Sequence, residues 1–302
     1  MNIKQIRAVY FSPCGSTASL TRAVADSAAL VLDVPVIYYD FTLPKNRRRM
    51  TENADFALPV DRPDVIEFSD DELVIFGTPT YAGRIPNKIL PLIQECFKGN
   101  GALAVPVVTF GNRSFDDSLL ELRNTLELNG FHTVAAGAFV SRHVFTDKLA
   151  PGRPDDNDMK FIRNFGIQLG AEVRDMKKIT VPVAVPGKDQ DISRFMPAPV
   201  DRPVGPYYKP LGIDGEPAVF LKATPVTDTK KCSRCGICAR VCPMGSISAK
   251  DVTVMTGICI KCQACVKRCP DKAKSFDDPA FLSHVAMLEE NYTRKARSVV
   301  YL

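Results

Sequence analysis

Gln5-Ile-Arg-Ala-Val-Tyr-Phe11 is an apolar run that passes directly into Ser12-Pro13-Cys14-Gly15-Ser16-Thr17. A short apolar run bounded by a glycine-containing turn reads as a buried strand. Beyond the turn, Leu20, Val24, Ala28 and Leu32 recur at intervals of four, the stripe of an amphipathic helix lying on a sheet. The unit is strand, loop, helix. Loop amides and the positive end of the helix dipole favour a dianion there, with Ser12, Ser16 and Thr17 as hydroxyl donors. Small hydroxylated residues before a helix also serve as plain caps, so the unit alone does not decide between the two.

Working outward, Pro35 to Asp40, Leu73 to Gly77, Ala102 to Thr109 and Thr133 to Val140 read as further strands. Helical stripes separate most of them, over Asn87 to Phe97, Asp117 to Leu128 and Asp155 to Met176. This alternation predicts an α/β fold, a doubly wound sheet of five parallel strands. In such a sheet the loops after the first, third and fourth strands face one crevice beyond the carboxyl ends. Here the later two loops are Gly77-Thr78-Pro79-Thr80-Tyr81-Ala82-Gly83-Arg84-Ile85-Pro86 and Phe110-Gly111-Asn112-Arg113-Ser114-Phe115-Asp116-Asp117. Each offers glycine, hydroxyls and an aromatic ring.

A chain of 302 residues has room for a second, smaller domain. Hydrophobic content of 45% and charged content of 24% describe a globular protein and exclude the disordered and fibrous classes. No signal-type segment and no apolar run of ~18 residues is present, so a cytoplasmic protein without a membrane span is expected. In a reducing compartment, ten cysteines point to metal or redox chemistry.

Eight of them fall into two runs, Cys232-Ser-Arg-Cys235-Gly-Ile-Cys238-Ala-Arg-Val-Cys242-Pro243 and Cys259-Ile-Lys-Cys262-Gln-Ala-Cys265-Val-Lys-Arg-Cys269-Pro270, the second 27 positions after the first. Each is CxxCxxCxxxCP, the bacterial ferredoxin spacing, in which three close cysteines wrap one cubane and the fourth reaches to the other. Cys232, Cys235, Cys238 and Cys269 are assigned to one [4Fe-4S] cluster, and Cys259, Cys262, Cys265 and Cys242 to a second. Structural zinc usually takes two separated cysteine pairs and fits this pattern poorly. Residues 228 to 274 carry ten Lys or Arg against three Asp. That excess either offsets the negative clusters or forms a face for an acidic redox partner.

The two flavin-sized loops and the cysteine cassette together give the chain its family likeness. It resembles the flavodoxin family, specifically the flavodoxin-ferredoxin fusion proteins, over nearly its whole length. The resemblance implies FMN. Its phosphate is expected at Ser12, Cys14, Gly15, Ser16 and Thr17. Its ring is expected between Thr78, Pro79, Thr80, Tyr81, Ala82 and Gly83 on one side and Thr109, Phe110, Gly111, Asn112, Arg113 and Asp116 on the other. Tyr81 is expected to stack on the ring, since the chain has no Trp. The family's phosphate loop often carries Thr where this chain has Cys14, which replaces a hydroxyl donor by a weak thiol at a cost of about 1 kcal/mol. Cys96 reads as a small core residue.

The expected organisation is a flavodoxin-like domain over 1–179, a proline-rich linker over 180–227, a ferredoxin domain over 228–278, and a C-terminal helix and tail over 279–302. Phe195, Met196, Tyr207 and Tyr208 could pin the linker. Lys45, Arg47, Arg48 and Arg49 read as a solvated basic loop, with partner docking as the alternative. The three histidines, His132, His143 and His284, are scattered in sequence and suggest no site. Phe281, Val285, Leu288 and Tyr292 form a helical stripe.

The expected task is electron transfer between the clusters and FMN, linking a low-potential one-electron donor to a partner oxidoreductase. The alternatives are an FMN-dependent reductase of a quinone or nitro compound, and a sensor that uses a cluster as a switch. Redox proteins, acidic ones among them, are the expected partners. Nucleic acid is not expected, and direct NAD(P)H oxidation is disfavoured because no GxGxxG turn joins a strand to a helix.

Overall fold

The computed structural model describes residues 2–48, 65–176, 185 and 203–302. The first domain runs β1 (Gln5–Tyr10), α1 (Ser16–Leu32), β2 (Val36–Asp40), α2 (Pro44–Arg48), β3 (Ile66–Glu67), β4 (Glu72–Pro79), α3 (Leu90–Cys96) and β5 (Phe97–Lys98). It continues with β6 (Leu103–Phe110), α4 (Ser118–Leu128), β7 (His132–Thr133), β8 (Ala136–Val140) and α5 (Asp156–Asp175). The remainder is β9 (Val226–Thr227), α6 (Ile237–Arg240), α7 (Ala264–Lys267), β10 (Lys274–Ser275), α8 (Pro279–Asn291) and β11 (Val299–Tyr301).

The main sheet has the order β11-β8-β6-β4-β1-β2, with β7 also on β6. Its five principal strands are parallel and, counted along the chain, lie 2-1-3-4-5, the flavodoxin-like winding. Alternate residues of each central strand feed opposite cores. Val74 and Phe76 of β4 pack toward α3 and α4, and Leu73 and Ile75 toward α1 and α5. The α1–α5 contact is close because α5 carries glycines there. A Cβ on Gly166 would lie 2.6 Å from the Val24 carbonyl oxygen, and one on Gly170 would lie 2.9 Å from that of Ala28. Cys96 is buried in the core, as its sequence position suggests. No described helix is long and apolar enough to cross a membrane.

The structure departs from the sequence reading in several places. The strand expected over Thr133 to Val140 is broken into β7 and β8, both paired with β6. Arg47 is not solvated: it is 3% exposed, donates to the carbonyls of Phe41 and Thr42, and lies over the Phe11 ring. Lys45 is exposed, and Arg49, Phe195 and Met196 lie outside the described residues. The described part of the connector is fastened. Tyr207 donates its hydroxyl to the Ile85 carbonyl at 3.0 Å and lies under Arg84, while Tyr208 lies under Arg113. Val226 and Thr227, read as linker, form β9 and pair with β10.

The C-terminal tail also finds a place in the first domain. β11 adds to the sheet edge antiparallel to β8, with Val299 opposite Ala138 and Tyr301 opposite Ala136. Asn112 anchors it. Its side-chain amide donates to the carbonyls of Tyr292 at 2.6 Å and Arg294 at 2.7 Å, and its carbonyl accepts from the Ala296 amide at 3.1 Å. Beside this anchor, α8 joins an aromatic cluster with residues from the loop after β8 and from the segment before β9. Phe145 meets Phe281, His284 and His143, and Phe220 meets Phe281 and His284. Two histidines far apart in sequence thus share one buried environment. His143 accepts from the Phe145 amide through Nδ1 at 3.2 Å. Burial, with repulsion from His284, Arg113 and Lys267, lowers its pKa to about 4.

Asn112→Ala strips three hydrogen bonds from the backbone of the tail, one of them buried, and places alanine at φ 67. A loss of about 3 kcal/mol is expected in urea unfolding. The lowered pKa of His143 gives a second expectation. Between 6.5 and about 4 the unfolded chain binds a proton that the folded chain refuses, so stability falls as pH drops through that window. His143→Gln should flatten that part of the stability–pH curve, as read by thermal unfolding across the range.

Candidate functional site

The 27-residue repeat of the cysteine runs is carried into the backbone. Arg234 and Lys261 both adopt φ 58, Gly236 and Gln263 adopt 72 and 63, and Gly245 and Lys272 adopt 61 and 50. A short helix follows in each copy, α6 and α7. These left-handed residues turn amides onto sulfur. Arg234 N–H donates to Cys232 Sγ and Lys261 N–H to Cys259 Sγ, each at 3.4 Å. Ser246 N–H meets Cys242 Sγ at 3.3 Å, and Ala273 N–H meets Cys269 Sγ at 3.2 Å. Such donors favour thiolate over thiol and suit a negatively charged cluster.

Cys242, Cys259, Cys262 and Cys265 line one cavity, walled by Met244, Ile247, Ile258 and Phe276. Three come from the second run and the fourth from the first. Four thiols spread around one cavity suit a polynuclear cluster. Burial pushes the Cys265 thiol up to about 12 and raises those of Cys262 and Cys259. Without a cluster these thiols hold their protons, and cluster binding displaces them. Of the other four, Cys232 and Cys238 pack with Ile247 and Val252, Cys269 is half-buried, and Cys235 is exposed.

That asymmetry comes from where the cluster domain sits. Its second run faces the carboxyl edge of the sheet, and the Cys14 thiol donates to the Cys262 carbonyl at 3.1 Å. Met244 and Ile260 pack against the first domain's core, and Lys267 pairs with Asp147 at 2.5 Å. Gln263, at the position held by Gly236 in the first run, is 5% exposed and lines the cavity. Its Nε2 has no hydrogen-bond partner.

Gly15, at φ 92, caps α1 and has no side chain to occupy the first helical amides. Ser12 Oγ accepts from Ala18 N–H at 2.9 Å and so shapes the loop, and Ser16 is half-buried at its rim. Burial raises the Cys14 thiol, while Arg142, Lys267 and Arg268 pull it down. Thr17 meets Thr109 at 2.7 Å, and Thr80 N–H donates to the Thr109 carbonyl at 2.8 Å. All three expected loops are thereby brought together. Tyr81 and Arg84 exchange backbone hydrogen bonds across a tight turn with Ala82 at φ 49 and Gly83 at φ 77. The half-buried Tyr81 phenol is pushed well above its ordinary pKa by burial, then by Cys262, Cys14 and Cys259. Thr78 Oγ1 is buried without a hydrogen-bond partner at the strand end beside half-buried Pro79.

Other expected contacts are spent elsewhere. Asn112 holds the C-terminal tail, and Phe110 packs on Phe115. Gly111 lies against His143, and Arg113 pairs with Asp116. From this loop the backbone, more than those side chains, remains for a ligand. A glycine-led helix start beside hydroxyls, the Arg268 guanidinium, an orphaned threonine and a half-buried aromatic ring fits a phosphate-bearing planar group. Gln263 and Arg268 were missed in sequence; the available signal was their departure from Gly236 and Val241 in the first run.

Residues 224–270 match the family described as the 4Fe-4S dicluster domain. No curated protein matches the chain. Among solved structures, a flavodoxin from the Archaea is 16% identical, covering 57% of this chain and 99% of its own, with a TM-score of 0.36. A Streptococcus pneumoniae TIGR4 flavodoxin is 17% identical, covering 56% and 99%, with a TM-score of 0.35. An NADH:FMN oxidoreductase in its apo form is 19% identical, covering 56% and 89%, with a TM-score of 0.39. The strand order carries the fold assignment and the family match carries the cluster domain. Together they make the chain a flavodoxin-like domain joined to a 4Fe-4S dicluster domain, the arrangement of a flavodoxin-ferredoxin fusion.

Proposed function

We propose that this chain is an electron-transfer protein with two [4Fe-4S] clusters, one on Cys232, Cys235, Cys238 and Cys269 and one on Cys242, Cys259, Cys262 and Cys265. FMN is proposed to occupy the crevice between the loops at Ser12–Thr17, Thr78–Gly83 and Thr109–Asp116, and the chain to link a low-potential one-electron donor to a partner oxidoreductase. The observation that carries this reading is the contact of Cys14, in the proposed phosphate loop, with the backbone of Cys262 at 3.1 Å. When bound, clusters exchange single electrons and a flavin one or two, so their union couples the two kinds of traffic. The residues' part is to hold, orient and shield. Eight thiols and their amide donors fix the clusters, the α1 start and Ser12, Ser16 and Thr17 hold a phosphate, and Tyr81 stands between the two sites.

Exposure along the repeat supports a direction for partner access. Cys262 is buried against the first domain, whereas its counterpart Cys235 faces solvent among exposed Lys230, Lys231, Arg234, Arg240 and Lys272. Nearby carboxylates are already engaged, Asp228 with Lys231 and Asp271 with Ser233. This face suits an acidic redox protein.

Anaerobic analysis should find eight irons and one FMN per chain, and flavin reduction after cluster reduction should proceed at a rate independent of protein concentration. A colourless or zinc-bearing protein, or a concentration-dependent rate, would refute the proposal. Lys230→Glu combined with Arg234→Glu should slow electron exchange with a small acidic ferredoxin by about tenfold or more at low salt, with the difference fading at high salt. Stopped-flow measurement across ionic strengths checks this.

A further inference from the structure

We infer that Arg268, carried by the cluster domain, completes the phosphate site of the flavodoxin-like domain, so that flavin binding and docking of the cluster domain are one coupled event. The inference rests on the FMN reading above and extends it to a residue outside the flavin loops.

Arg268 Nη2 lies 3.7 Å from the position a Cβ on Gly15 would take, which places the guanidinium at the mouth of the loop before α1. Its charge reaches the loop, since it is among the cations acting on Cys14. Among the described residues it pairs with no carboxylate, whereas the adjacent Lys267 is held by Asp147. Cluster ligation does not require a cation here, because the repeat places Val241 at the matching position of the first run. Meanwhile the Cys14 side chain, which the loop could have offered to a phosphate, donates instead to the Cys262 carbonyl. The loop thus gives its side chain to the docking contact and receives an arginine from the docked domain. An arginine offers a planar, permanently charged fork suited to a phosphate dianion.

The two flavins that differ only in that phosphate provide the test. Full-length, cluster-loaded protein freed of flavin is titrated with FMN and with riboflavin, for wild type, Arg268→Val and Arg268→Lys. Unchanged cluster absorbance establishes that each variant is folded. Arg268→Val should bind FMN about tenfold or more weakly and riboflavin as wild type does, with Arg268→Lys recovering part of the loss. Equal FMN affinity in wild type and Arg268→Val would overturn the inference, and so would equal losses for FMN and riboflavin, which would mark a packing role. Wild type that binds neither flavin would overturn the FMN reading itself.

Discussion

Cys14 joins two pieces of chain nearly as far apart in sequence as the fold allows. Its thiol donates to the carbonyl of Cys262, so the loop that opens α1 and the loop that wraps the cavity-lining cysteine quartet share one hydrogen bond. Everything functional is organised around that junction. The parallel strands bring three loops to one edge, and the cluster domain closes on the same edge through Met244, Ile260 and the Lys267–Asp147 pair. Were the cluster domain held only by its connector, proximity would depend on chance encounter. The described part of the connector is itself fastened to the first domain's loops, through Tyr207 on Ile85 and Tyr208 under Arg113.

The cysteine repeat also illustrates how near-identical local chemistry becomes inequivalent through burial. Backbone angles and amide-to-sulfur contacts recur at an interval of 27, yet one run meets solvent and the other meets a protein wall. The wall excludes water from Cys262 and Cys265, and burial raises the cost of charge there and at the Tyr81 phenol. A cluster's potential depends on hydrogen bonds to its sulfurs and on exposure, so two sites of the same sequence pattern differ through their surroundings.

Much of this was legible in the sequence because the signals are local. Helical stripes such as Leu20, Val24 and Ala28 need only one buried face, and the cysteine spacing is dictated by the geometry of its ligand. The parts that escaped depend on partners distant along the chain. Val299–Tyr301 is too short to announce a strand and becomes one only because β8 offers an edge. Arg47 looks like a surface charge until the carbonyls of Phe41 and Thr42 are seen beneath it. Asn112 sits in a flavin-type loop but holds the tail, and His143 and His284 meet only through Phe145. Gln263 is conspicuous only when the two runs are overlaid.

Having β11 as the last strand of a sheet begun by β1 has a consequence for biosynthesis. As the nascent chain leaves the ribosome, the outer rim of β8 stays bare until the entire iron–sulfur module has emerged behind it. An uncovered rim is a template for intermolecular pairing, so the interval before β11 appears is when this sheet is most exposed to self-association.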